Sequence, residues 1–117
     1  MGGVVQPFSA SVEERAPRCY AVTLTGEIDL SVTGHLEAEL APMIVPDVLV
    51  AIDLSQVTFM DSSGLHLLNR LSKLAKLAGA RFWLCAPSTE VRRVFELVGA
   101  DYFLEILDDM QSAFTEN

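Results

Sequence analysis

The chain lacks most of the features that announce a function at first sight. No apolar run reaches the roughly 18 residues that a bilayer-spanning helix needs, and residues 1–7 carry no basic group to begin a signal peptide. Both absences point to a cytoplasmic protein with no membrane partner. Cysteine and histidine occur only twice each in 117 residues. His35 and His66 assemble no metal-ligand cluster and no nucleophile–histidine–acid set, so no metal, cofactor or catalytic residue is expected. Cys19 and Cys85 each sit in an apolar, strand-like run, which suits small buried hydrophobes better than a redox pair. The G-x-S-x-G elbow of serine hydrolases and the glycine-rich phosphate loop are both missing. Positive charge is scarce as well: 8 Lys and Arg against 16 Asp and Glu give a formal net charge of −8. Direct nucleic-acid binding, which needs a basic stripe to displace counterions, is therefore not expected. No internal repeat, low-complexity tract or linker divides the chain, so residues 1–117 read as one domain with residues 1–7 as a flexible lead.

What the chain has in quantity is aliphatic side chains, half of it being hydrophobic. Residues 8–13 alternate, with Phe8, Ala10 and Val12 against Ser9, Ser11 and Glu13, as a half-exposed strand does. A turn at 14–18 containing Pro17 leads into a second strand at 19–25, antiparallel to the first. A helix follows over about 32–41, with Leu36, Leu40 and Met43 on one face, and Pro42 ends or kinks it. Residues 48–54 have the composition of a buried parallel strand, and a second apolar patch at 57–60 follows a polar break. A long helix is predicted over 62–78 with Gly79 as its stop. Its apolar side carries Gly64, Leu67, Leu68, Leu71, Leu74, Ala75 and Ala78, and its polar side His66, Asn69, Arg70, Lys73 and Lys76. Further on come a strand at 81–86, a helix capped by Ser88 and ended by Gly99, a strand at 103–107 and a terminal helix at 108–114. The order β-β-α-β-α-β-α-β-α specifies an α/β fold. Its sheet is mixed and mostly parallel, with a leading β-hairpin and about four helices.

One stretch concentrates the polar chemistry. The apolar run before it stops abruptly at Asp61-Ser62-Ser63-Gly64, where the long helix begins. A helix start leaves backbone N–H groups unpaired and carries the positive end of the macrodipole, so it suits an anion such as phosphate. Three readings follow: a helix cap, a serine nucleophile, or a phosphorylation switch. A nucleophile would need a base. His66 lies one turn from Ser62, but nothing orients its imidazole.

At this point the sequence resembles a known family. Gly26-Glu27-Ile28-Asp29 closes a strand, Asp53-Leu54 closes another, and Phe59-Met60-Asp61-Ser62-Ser63-Gly64-Leu65 opens the helix. That arrangement is similar to the STAS domain, and within it to the bacterial anti-sigma factor antagonists. Gly79-Ala80-Arg81, the run from Pro87 to Arg93, and Leu97-Val98-Gly99 fall where the family places such residues, so the resemblance spans about 8–114. It implies a partner-switching protein with no catalytic machinery. The unmodified form would bind an anti-sigma factor serine kinase and free the sigma factor. Phosphorylation of Ser62, the serine after the motif aspartate, would break that complex, and a serine phosphatase would restore it. The resemblance also places Asp29 beside the phosphosite. Asp29, Asp61, Ser63, Gly64, Leu65 and His66 are the candidate partner-binding residues. Leu65 projects onto the polar side of the helix, as either a partner anchor or a residue packed beneath a loop. Arg70, Lys73 and Lys76 form either a solvated face or a basic rim. Two other readings compete: a non-switching scaffold (stressosome-type or a lipid-transport subunit), and a small-nucleotide-binding module suggested only by the helix start.

Overall fold

The computed structural model describes residues 7–115. The first two strands, β1 (Ser9–Ala16) and β2 (Cys19–Ile28), form the expected antiparallel hairpin, with Val12 opposite Val22. Both run further than the alternation alone indicated, and the turn shrinks to Pro17 and Arg18. Helix α1 (Leu30–Leu40) begins two residues earlier than expected, and Pro42 diverts the chain into a 3-10 turn at Ala41–Met43. Strand β3 (Leu49–Met60) leads to α2 (Ser62–Ala78), β4 (Arg81–Cys85), α3 (Thr89–Val98), β5 (Ile106–Leu107) and α4 (Met110–Thr115). The sheet order is β1-β2-β3-β4-β5, antiparallel only between β1 and β2.

Successive crossovers in one direction along the sheet place their helices on one face, because such connections are right-handed. Accordingly Leu36 and Leu40 of α1, Leu67, Leu68 and Leu71 of α2, and Val91 and Phe95 of α3 share one core. They meet Val22 and Leu24 of β2, Val50, Ile52 and Leu54 of β3, and Leu84 of β4 there. The opposite face is covered by α4, whose Ala113 packs with Leu49, Ala51 and Cys85. Central strand β3 reads as a continuous apolar run because both its faces are buried.

Three expectations are corrected by packing. The polar break in β3 is no break: Ser55 and Gln56 are exposed members of one twelve-residue strand. Beyond Asp53 the strand has passed the end of β4 and pairs only with β2, so polar side chains are tolerated there. The strand expected at 103–107 is reduced to Ile106–Leu107, preceded by a 3-10 turn at Ala100–Tyr102 and by Leu104 buried without regular pairing. On α2 the buried face takes in Leu65 and Ser72, while Leu74 is exposed. Of the expected lead at 1–7, all but Pro7 lies outside the described residues.

Candidate functional site

Parallel strands β2 and β3 finish side by side. Ile28 is paired with Met60, and the Asp61 N–H donates to the Ile28 carbonyl at 3.3 Å. Each strand is followed by the same three-residue pattern, Asp29-Leu30-Ser31 and Asp61-Ser62-Ser63, and each pattern starts a helix. In both, the aspartate keeps extended backbone geometry and turns its carboxylate onto the first turn. Asp29 Oδ1 accepts from the Ser31 N–H at 3.0 Å and the Ser31 hydroxyl at 2.5 Å. Asp61 Oδ1 accepts from the Ser63 N–H at 2.9 Å, the Gly64 N–H at 3.3 Å and the Ser63 hydroxyl at 2.5 Å. Two helix N-termini, each with its own aspartate cap, therefore stand together at one end of the sheet.

The hydrogen bonds sort the two serines. Ser63 is half-buried and its hydroxyl is committed to Asp61, whereas Ser62 is exposed. Among the described residues, the Ser62 side chain makes no hydrogen bond. The hydroxyl of Ser63, assisted by the backbone N–H groups of Gly64 and Ser63, holds the Asp61 carboxyl below its ordinary range. Asp61 is thus a firm anion at neutral pH, and it already occupies the Ser63 and Gly64 N–H groups of the helix start. The anion place expected at the helix start is therefore filled in part by the protein's own carboxylate. A phosphoryl group on Ser62 would face solvent and would add its charge beside an existing carboxylate.

Gly64 is required here for space. A Cβ at that position would lie 2.8 Å from Met60 Cγ and 2.9 Å from Ile28 Cγ2, closer than real side chains approach. Without it, the first turn of α2 rests directly on the ends of β2 and β3. That contact carries Leu65 into the core, where it is 8% exposed. Leu65 is therefore not the exposed residue that the helical wheel indicates; its side chain packs in the core. His66 is exposed one turn along α2 and makes no hydrogen bond to Ser62 among the described residues. Arg70 is not part of a free basic face either. Its Nε and Nη2 reach Glu37 of α1 at 3.2 and 2.9 Å, a two-pronged pair that ties the two helices. The Arg70 hydrogen bonds hold the Glu37 carboxyl below its ordinary range. Lys73 and Lys76 remain exposed on the outer face.

Leu30 was not singled out by the sequence, yet it occupies the place in the first cap that Ser62 occupies in the second. It is 77% exposed. The signal that could have found it is the repeated Asp-x-Ser after two strands. Two cavities among the described residues lie away from Ser62, one beside Phe95, Gly99 and Tyr102, the other beside Tyr20, Pro42 and Val48. Among the described residues no group of three or more His, Cys, Asp or Glu side chains is placed to hold a metal. No helix among them is long and apolar enough to cross a membrane.

The family model described as the STAS domain matches residues 11–113. An anti-sigma-B factor antagonist of Listeria monocytogenes is 29% identical over 91 residues, covering 70% of this chain and 80% of that protein. Among solved structures, an anti-sigma factor antagonist from Mycobacterium paratuberculosis superposes with a TM-score of 0.81 at 25% identity, covering 93% of this chain and 92% of that one. The anti-sigma factor antagonist SpoIIAA in its unphosphorylated form gives a TM-score of 0.74 at 23% identity, covering 91% of this chain and 93% of that one. Bacillus SpoIIAA in its phosphorylated form gives 0.69 at 22%, covering 91% and 96%. At identities under 25% those last two likenesses concern the fold.

Proposed function

The chain belongs to the STAS domain family, and we propose that it works as an anti-sigma factor antagonist whose switch is Ser62. Unmodified, it binds an anti-sigma factor serine kinase and so releases the sigma factor. The kinase transfers the γ-phosphoryl group of ATP to the Ser62 hydroxyl, the complex dissociates, and a serine phosphatase returns the protein to its binding form. The protein itself is not an enzyme in this scheme, acts in the cytoplasm and touches neither nucleic acid nor membrane.

The observation that carries this reading is the division of labour at the start of α2. Ser63 is held by Asp61, and Ser62 is exposed with its hydroxyl unengaged among the described residues. A kinase must bring its substrate hydroxyl in line with ATP, which an exposed and uncommitted serine on a rigid helix start permits. The relatives named as antagonists, and the phosphorylated form known for Bacillus SpoIIAA, support the broader reading of an antagonist that is modified by phosphate.

Charge explains why one group suffices to break a complex. Phosphoserine adds about −1.5 to −2 charge at neutral pH. The Ser63 and Gly64 N–H groups of the helix start are already taken by Asp61 and Ser62 is exposed, so the new charge is largely hydrated. Covering it with a partner removes that water, and a loss of about 3 kcal/mol reduces affinity more than a hundredfold. Incubation with ATP and candidate serine kinases, followed by mapping of the phosphate by mass spectrometry, tests the proposal. One phosphate on Ser62 is expected, absent from Ser62→Ala. A protein that no such kinase labels would refute it.

A further inference from the structure

We infer that Leu30 is the apolar anchor by which the protein docks onto the kinase that modifies Ser62, its side chain filling a hydrophobic pocket beside that enzyme's active site. This rests on the reading of Ser62 as the phosphoacceptor and goes beyond it by naming a contact residue and the chemistry it meets.

The geometry starts from the paired strand ends. Ile28 and Met60 are partners in the sheet, Asp29 and Asp61 follow them as caps, and Leu30 and Ser62 are the first residues of α1 and α2. Adjacent strands are about 5 Å apart and packed helices about 8–10 Å. The two residues therefore stand within roughly 10 Å of each other at the same end of the domain. A kinase that closes over the Ser62 hydroxyl cannot leave Leu30 in water. Continuity with the modified serine thus fixes what covers this leucine.

The fold itself makes no use of the Leu30 side chain. It is 77% exposed and is absent from both hydrophobic cores and from the residues packed against them. The neighbouring carboxylates are engaged in capping, since Asp29 caps α1 through Ser31 and Asp61 caps α2 through Ser63. The surface at this end includes an exposed leucine next to an exposed serine hydroxyl, with both carboxylates engaged in caps. Such a surface suits a partner pocket that is apolar and dry. It also accounts for sensitivity to phosphate, because a charged group would appear at the margin of a desolvated contact.

Leu77 provides an internal control. It is 87% exposed on the same helix as Ser62, but about 22 Å along it at 1.5 Å per residue. The test measures KM and kcat for phosphorylation of the full chain by the kinase that labels Ser62, using wild type, Leu30→Ser, Leu30→Met and Leu77→Ser, with thermal unfolding of each. Leu30→Ser is expected to raise KM about tenfold or more with an unchanged melting temperature. Leu30→Met is expected to restore most of the affinity, and Leu77→Ser to match wild type. A Leu30→Ser protein labelled on Ser62 with wild-type KM would overturn the anchor and leave the phosphoacceptor reading standing. Equal KM increases in Leu30→Ser and Leu77→Ser would also overturn it. Failure of every serine kinase to label even wild type would remove both.

Discussion

Asp61 accepts the Ser63 hydroxyl at 2.5 Å and, among the described residues, leaves that of its immediate neighbour Ser62 without a partner. One carboxylate thereby separates two adjacent serines into a structural residue and an available one. The sequence Ser-Ser alone does not distinguish them.

The separation predicts different phenotypes. Ser62→Ala is expected to abolish labelling while leaving kinase binding and stability unchanged, since an exposed hydroxyl without partners contributes little to folding. Ser63→Ala is expected to retain labelling but to lose roughly 0.5–1.5 kcal/mol of stability with its hydrogen bond to the cap. Urea denaturation and phosphate mapping of both variants check this. Labelling that survives in Ser62→Ala and vanishes in Ser63→Ala would reverse the assignment.

The Asp61 cap has a pH signature. Its carboxyl is lowered in the folded protein, chiefly by the Ser63 hydroxyl. Its contribution is therefore complete above the ordinary carboxylate value near 4 and is lost as pH falls through the lowered folded value. Asp61→Asn keeps an acceptor oxygen but cannot titrate. The stability gap between wild type and Asp61→Asn should accordingly shrink between pH 7 and pH 2.5, as read from urea midpoints. Asp61→Ala is expected to cost about 0.5–2 kcal/mol at pH 7. A gap that widens on acidification would contradict the cap.

Gly64 sets two effects against each other. Alanine in a helix gains up to about 1 kcal/mol over glycine, but its Cβ would lie 2.8 Å from Met60 Cγ and 2.9 Å from Ile28 Cγ2. Overpacking of this kind costs roughly 1–3 kcal/mol, so Gly64→Ala should be destabilising. The double variant Gly64→Ala with Met60→Ala should recover part of the Gly64→Ala loss relative to Met60→Ala alone. Full additivity in that cycle would show that the contact is not what constrains Gly64.

The cysteines should behave unequally. Burial, reinforced by the Asp53 and Asp109 carboxylates, pushes the Cys85 thiol up to about 12. Cys19 is only partly buried. It lies on β2, with β3 between it and the β4 strand that carries Cys85. Two strand spacings, about 9.6 Å, exceed the reach of a disulfide. Thiol reagents at pH 8 are expected to modify Cys19 first and Cys85 only on unfolding, with peptide mapping as the readout. Rapid modification of native Cys85 would contradict the burial.

Much of the architecture was legible where local and global signals agreed. Helix α2 starts at Ser62 and stops at Gly79, as expected, because a strong cap, a sustained apolar period and a left-handed stop (φ 77°) coincide. Ser88 and Gly99 bound α3 for the same reasons. Legibility ended where tertiary context decided. A helical wheel places Leu65 outside and Leu74 inside, but the close seating of Gly64 on the strand ends buries the first and leaves the second at the surface. Placing the start of α1 at Val32 rather than Leu30 hid the twin caps, and with them the exposed leucine beside Ser62. The pairing of Arg70 with Glu37 depends on helix packing, which periodicity does not contain.

The central claim is that a charge on Ser62 acts on the partner and leaves the domain folded. Its most direct measurement pairs thermal unfolding with kinase affinity for unmodified protein, phosphorylated protein and Ser62→Asp. The account predicts melting temperatures within a few degrees of one another, an affinity loss of a hundredfold or more on phosphorylation, and a smaller loss for the aspartate, which carries less charge. A phosphorylated protein that binds as tightly as the unmodified one, or whose lost affinity only tracks its unfolding, would contradict it.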